Sequence, residues 1–161
     1  MTNLESSSPK LELLPSPRIS RGLAIAFLVI SFLGFLDATY LAVEHYRGVI
    51  PPCGILKGCE EVTTSAYSQV FGIPVALGGS IFYLLIFILS VLRFERENDK
   101  FLRFAAYLTP LGLLASLWFL YLQLFVIKAI CIYCVFSVLT SATLFILSLI
   151  LIKKYKKTSD G

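Results

Sequence analysis

Residues 104–152 read FAAYLTPLGLLASLWFLYLQLFVIKAICIYCVFSVLTSATLFILSLILI, 49 residues interrupted by a single charge, Lys128. The hydrocarbon core of a bilayer is about 30 Å thick and takes roughly 20 helical residues at about 1.5 Å each. The stretch is therefore long enough to cross twice. Lys128 divides it into Phe104–Ile127 and Ala129–Ile152, each 24 residues without a charge. This spacing predicts a tight helical hairpin with its bend near Lys128–Cys131. Pro110 predicts a kink in the first arm, of a kind lipid-embedded helices tolerate. Two more such runs lie upstream: Gly22–Val43, with Asp37 as its only charge, and Ile73–Leu92, with none. The pattern is that of an all-α integral membrane protein, a four-transmembrane-helix bundle. The long outer segment Glu44–Gly72 is mixed polar and apolar over Glu60–Val70, which predicts a short interfacial helix there.

Composition agrees. Hydrophobic residues make up 57% and charged residues 15% of the chain, and the mean hydropathy is +0.83. A soluble domain carries about a quarter charged residues, so soluble, disordered and collagen-like classes are excluded. The net charge of +4 points to a membrane topology rather than to nucleic acid. Lys10, Arg18 and Arg21 precede the first run; Arg93, Arg96, Lys100 and Arg103 lie between the second and third; Lys153, Lys154, Lys156 and Lys157 follow the fourth. Only Arg47, Lys57 and Lys128 fall on the other side. Positive charge stays inside, so both termini are expected in the cytoplasm of a cell with this protein in its inner (plasma) membrane. The first run is too long, and begins too far in, for a cleaved signal peptide. Residues 1–17 are Ser- and Pro-rich and read as a disordered cytoplasmic tail, 18–152 as the membrane domain, and 153–161 as a basic cytoplasmic tail.

The four cysteines, Cys53, Cys59, Cys131 and Cys134, all fall on the outer side, where disulfides persist if the compartment is oxidising. Cys131-Ile132-Tyr133-Cys134 opens the last helix. Residues three apart share a helix face, and a helix N-terminus favours a thiolate, with Lys128 adding positive charge. This is what a reactive dithiol needs; a structural disulfide or buried free thiols are the plainer alternatives. Cys53 and Cys59 lie in PPCGILKGC, residues 51–59, whose prolines and glycines mark a loop. Alone this pair reads as a staple. Beside a membrane-level CxxC, it reads as one stage of thiol–disulfide exchange in series. Four cysteines could also hold zinc, but one pair opens an apolar helix with no histidine near it, and no metal is expected.

These residues together resemble the bacterial homologues of vitamin K epoxide reductase. The matching segments are GFLDATYL at 34–41, the Cys53/Cys59 loop, EVTTS at 61–65, FGIPVA at 71–76 and CIYC at 131–134, in family order over about residues 20–152. The resemblance implies a four-helix bundle around a quinone (menaquinone, ubiquinone or phylloquinone). It implies an active-site disulfide pair Cys131–Cys134, with Cys134 facing the quinone, and a shuttle pair Cys53–Cys59. Ser65 corresponds to a serine in the short helix after the loop. Human-type members carry an asparagine and a tyrosine where Val75 and Val138 stand, so the resemblance implies quinone reduction rather than epoxide reduction. The implied activity is that of a thiol:quinone oxidoreductase supporting disulfide bond formation. Its partner would be an extracytoplasmic thioredoxin-like (DsbA-like) thiol protein, a separate chain since no such domain is fused here.

Asp37 is the only charge inside a span. Intramembrane carboxylates are costly and default to function. A proton donor or hydrogen bonder to the quinone and a packing contact to a Ser or Thr are its two readings. His45, the only histidine, reads as a surface residue. Phe82, Tyr83, Phe87, Trp118, Phe119, Tyr121, Phe125 and Phe136 are candidates to line a flat apolar ring, most of them expected to face lipid or pack. Two rival functions remain: a four-span proton-coupled transporter using Asp37 with structural disulfides, and a stapled scaffold without chemistry.

Overall fold

The computed structural model of the chain describes residues 20–52, 58–96 and 98–159. Its elements are α1 (Arg21–Arg47), α2 (Gly58–Thr63), a single 3-10 turn at Ala66–Ser68, β1 (Gln69–Val70), β2 (Ile73–Pro74), α3 (Val75–Arg96), α4 (Asp99–Tyr121) and α5 (Ile132–Ser159). α1, α3, α4 and α5 are each long and apolar enough to cross a membrane. α1 packs on α3 and α5, and α4 packs on α5 and α3. The expected tail 1–17 and Cys53 lie outside the described residues. α5 runs on to Ser159, so the basic segment after Ile152 extends the last helix through most of its length.

α4 keeps its helix through Pro110. Proline has no N–H for the carbonyl of Ala106, four residues back. The hydroxyl of Thr109 donates to that carbonyl instead, at 2.8 Å, so the group that Pro110 would orphan in lipid is satisfied. The irregularity comes later. Leu122–Ile127 winds as a π-helix, and Lys128 follows in the left-handed region with φ 57°. The bend occupies residues 128–131, as the sequence predicts.

The outer segment differs from expectation. The single helix expected over Glu60–Val70 is two shorter pieces, and the first begins at Gly58, placing Cys59 on a helix rather than in a loop. The break falls where hydroxyls compete for the backbone. Thr63 Oγ1 donates to the Cys59 carbonyl at 2.7 Å, Thr64 Oγ1 to Glu60 at 2.6 Å, and Ser65 Oγ to Val62 at 2.8 Å. Phe71 and Gly72, with φ 53° and 78°, then turn the chain into a two-stranded hairpin pairing Gln69 with Pro74 and Val70 with Ile73. α3 starts after it.

Hydroxyl pairs link the spans. Thr39 of α1 and Ser80 of α3 are 2.7 Å apart. The hydroxyl oxygens of Thr109 of α4 and Ser148 of α5 are 2.9 Å apart. Tyr83 of α3 reaches across the bundle to the Ser137 carbonyl at 3.0 Å and to Thr140 and Ser141 at 2.8 Å each. Ser116 of α4 joins the same Ser141 at 2.9 Å. Gly34 of α1 makes room for the Tyr83 ring, which any Cβ there would strike. At the end away from the cysteines, Arg93 pairs with Asp99 at 2.6 Å, and the Arg103 guanidinium lies 4.3 Å over the Tyr155 ring.

Candidate functional site

Cys131 is the last residue before α5, so its sulfur sits at a helix N-terminus, and it is fully buried. The turn that delivers it is templated by Gln123. The Gln123 carbonyl accepts from the Ala129 N–H at 3.1 Å, and its side-chain Oε1 accepts from the Cys131 N–H at 2.9 Å. Cys131 and Cys134 are free thiols here, and the disulfide between them that the resemblance implies is not formed in this structure. The Cys134 thiol hydrogen-bonds to the Cys131 sulfur. Together with the N–H groups of Cys134 and Tyr133, this outweighs burial and the nearby Asp37 charge, and it brings the Cys131 thiol down from 9.0 to about 7.

Cys59 is equally buried and is disulfide-bonded. Its sulfur lies 3.5 Å from that of Cys131, the separation from which one sulfur attacks another. The cause is a close backbone approach. A Cβ on Gly58 would sit 2.6 Å from both the backbone N and O of Ile130. Only glycine lets the start of α2 lie this near the turn before α5. Cys59, Val62, Ala129 and Cys131 form one small buried cluster, with Ile127, Tyr133 and Cys134 packed against it.

Under this cluster lies a cavity of about 980 Å³, lined among others by Ala38, Val62, Phe82, Phe119, Gln123 and Cys134. Cys134 is thus on its wall while Cys131 is not. The described residues hold no cluster of three or more His, Cys, Asp or Glu that suits a metal.

A buried dithiol thus lies against a disulfide-bonded cysteine, above an apolar cavity within four spans, and the sequence pattern of the vitamin K epoxide reductase family matches residues 25–149. The chain belongs to that family. No curated protein matches it.

As a member of the vitamin K epoxide reductase family, the protein is a membrane oxidoreductase. Of the other residues singled out, Ser65 lines the cavity, but its hydroxyl hydrogen is donated to Val62, leaving only its lone pairs for a ligand. Asp37 accepts from Ser137 Oγ at 3.1 Å, the Ser/Thr contact of its packing reading, while also acting on both thiols of the CxxC. His45 pairs with Gln69 at 3.0 Å and lines the cavity near the loop. Among the aromatics, Phe82, Tyr83 and Phe119 line it, whereas Trp118, Tyr121 and Phe125 are exposed, on surfaces a bilayer would cover. Gln123 was missed by the sequence reading. Its signal was available: it is the one carboxamide in an uncharged run of 24 residues.

Proposed function

We propose that the protein reoxidises an extracytoplasmic thioredoxin-like thiol partner and passes the electrons to a membrane quinone, so that it drives disulfide bond formation. The observation that carries this reading is the 3.5 Å contact between Cys59 and Cys131 sulfurs, with Cys134 next in line on the cavity wall. The partner's thiolate attacks Cys53 of a Cys53–Cys59 disulfide, and Cys59 leaves as thiolate. Cys59 then attacks Cys131 of the Cys131–Cys134 disulfide, and Cys134 leaves. The partner's second thiol then displaces Cys53, which attacks Cys59 and releases Cys131. Each exchange breaks one S–S bond and forms one, so the partner leaves as a disulfide, the loop disulfide is restored and two electrons rest on the Cys131/Cys134 dithiol. A quinone in the cavity would supply the terminal step, taking up two electrons and two protons.

The residues fit such a ligand. The cavity walls are mostly apolar, as a flat ring requires, and among the polar groups on them are Ser65, Gln123 and Cys134. The charge asymmetry of the sequence supports a plasma-membrane orientation with both termini cytoplasmic, which puts the relay outside, where a secreted thiol partner is found. Asp37 is hydrogen-bonded to Ser137 rather than lining the cavity, which favours this reading over a transporter. The test is reconstitution in lipid vesicles with menaquinone, ubiquinone or phylloquinone and a reduced thioredoxin-like protein as donor. Quinol should form in step with donor disulfide. Donor oxidation that does not depend on added or co-purified quinone would sink the assignment.

A further inference from the structure

Gln123 has work to do that holding a turn does not explain. Its carboxamide is 2% exposed. Oε1 is fixed by the Cys131 N–H, which fixes the orientation of the whole planar group. Nε2 is left buried without a hydrogen-bond partner of ordinary geometry. Gln123 and Cys134 line the same cavity, and the carboxamide acts on the Cys134 sulfur. An unpaired buried amide N–H₂ costs roughly 1–3 kcal/mol, and a π-helical segment, as here at Leu122–Ile127, is frequently the mark of a functional site. Both point to a donor held ready for a charge absent from the resting dithiol.

We infer that Gln123 is a catalytic residue that donates from Nε2 to the Cys134 sulfur as that sulfur leaves as a thiolate. The inference rests on the relay order given above. When the Cys59 thiolate attacks Cys131, the Cys131–Cys134 bond breaks and its electron pair goes to Cys134. The negative charge is transferred, and no proton is needed at that instant. Cys134 is mostly buried, so the departing charge has little water to meet it. The Gln123 donor, already aligned by the Cys131 N–H, supplies the hydrogen bond without reorganising. The other ionisable groups acting on this sulfur are Cys131 beside it and Asp37 of α1. Cys59 of α2 lies against Cys131.

The test isolates this step from quinone chemistry. In a Cys53→Ser background of the full chain, Cys59 has no loop partner. Oxidised protein then partitions between a Cys131–Cys134 disulfide with Cys59 free and a Cys59–Cys131 disulfide with Cys134 free. Alkylation followed by peptide mapping reads the ratio of label on Cys134 to label on Cys59. Gln123→Glu keeps an oxygen for the Cys131 N–H but removes the donor; Gln123→Leu removes both. Each variant should lower the ratio by about 10- to 100-fold at about pH 8.5, the range for a hydrogen bond to a charged group. The deficit should shrink towards none as pH falls and Cys134 leaves as a neutral thiol. Asp37 and the cysteines are common to parent and variants, so they cancel. A deficit of the same size at every pH, or none in Gln123→Glu, overturns the inference and leaves Gln123 as a turn-holding residue. Failure of the quinone assignment would appear separately, as absence of quinol formation by the wild type.

Discussion

Replacing Gly58 with alanine should disable the relay while leaving the bundle intact. The added Cβ would meet Ile130 N and O at 2.6 Å. Both are backbone atoms in the turn pinned by Gln123, so neither can swing aside as a flexible side chain would. An ordinary contact begins at 3.4 Å, so the start of α2 must back away by about 0.8 Å. Cys59 is the next residue, and its sulfur would move from 3.5 Å to beyond 4 Å from Cys131. A misplacement of about 1 Å between reacting groups costs on the order of 100-fold in rate. Because Cys131 and Cys59 are both fully buried, small thiols as well as proteins reach Cys131 by way of the Cys53–Cys59 pair. Turnover with dithiothreitol and with a thioredoxin-like donor should therefore both fall by about 100-fold. The α1, α3, α4 and α5 contacts do not involve Gly58, so thermal unfolding should be unchanged. Gly22→Ala, at a site where a Cβ meets nothing within 4 Å, is the matched control. Wild-type turnover by Gly58→Ala protein would refute the argument that this close approach sets the sulfur separation.

Cys131→Ala or Cys134→Ala should abolish quinone reduction with every thiol donor, measured as quinol formation in vesicles, because no other described thiol joins the relay to the cavity wall. In the reduced protein, thiolate absorbance should rise with a midpoint near the Cys131 value of about 7. In Cys134→Ala, which lacks the hydrogen bond chiefly responsible for that low value, the midpoint should move up towards 9.0. The sign is fixed: below the midpoint Cys131 is protonated and its exchange with the disulfide-bonded Cys59 beside it slows. Ser65→Ala should lower stability by about 0.5–1.5 kcal/mol through loss of its bond to Val62, with turnover reduced less than tenfold; a larger rate loss with unchanged melting would place its oxygen on the substrate.

The spans were legible because each apolar run is long enough to cross a bilayer alone, and the hairpin because only one charge, Lys128, interrupts 49 residues. The CxxC at a helix start was equally plain. What escaped depends on contacts between distant parts of the chain. Cys59 and Cys131 are 72 residues apart in sequence, and nothing local to Gly58 says that its missing Cβ faces Ile130. The split of the outer helix was foreshadowed by Thr63, Thr64 and Ser65, three consecutive hydroxyl residues that end a helix by bonding back to it. The hairpin at Phe71–Gly72 carried a turn glycine, but its strands are only two residues each, too short for an alternating pattern to show. An uncharged Gln123 in a span carries no local sign of its role, which lies in its bonds across the turn to Ala129 and Cys131.

The hydroxyl pairs that join the spans bear on how the protein is made. Lipid tails are as apolar as leucine, so helices in a bilayer find their neighbours through close packing and hydrogen bonds rather than through escape from water. A lone Ser or Thr can enter lipid on terms its own helix provides, as Ser31 and Ser90 do by donating to Leu28 and Ile86, and then trade that partner for one on another helix. Thr39 with Ser80 registers the first half of the chain, and Thr109 with Ser148 the second. Tyr83 and the Asp37–Ser137 bond tie the halves to each other, and neither can do so until α5 has been inserted. The cavity that Tyr83 lines is therefore completed last in biosynthesis, after every cysteine has already been translated.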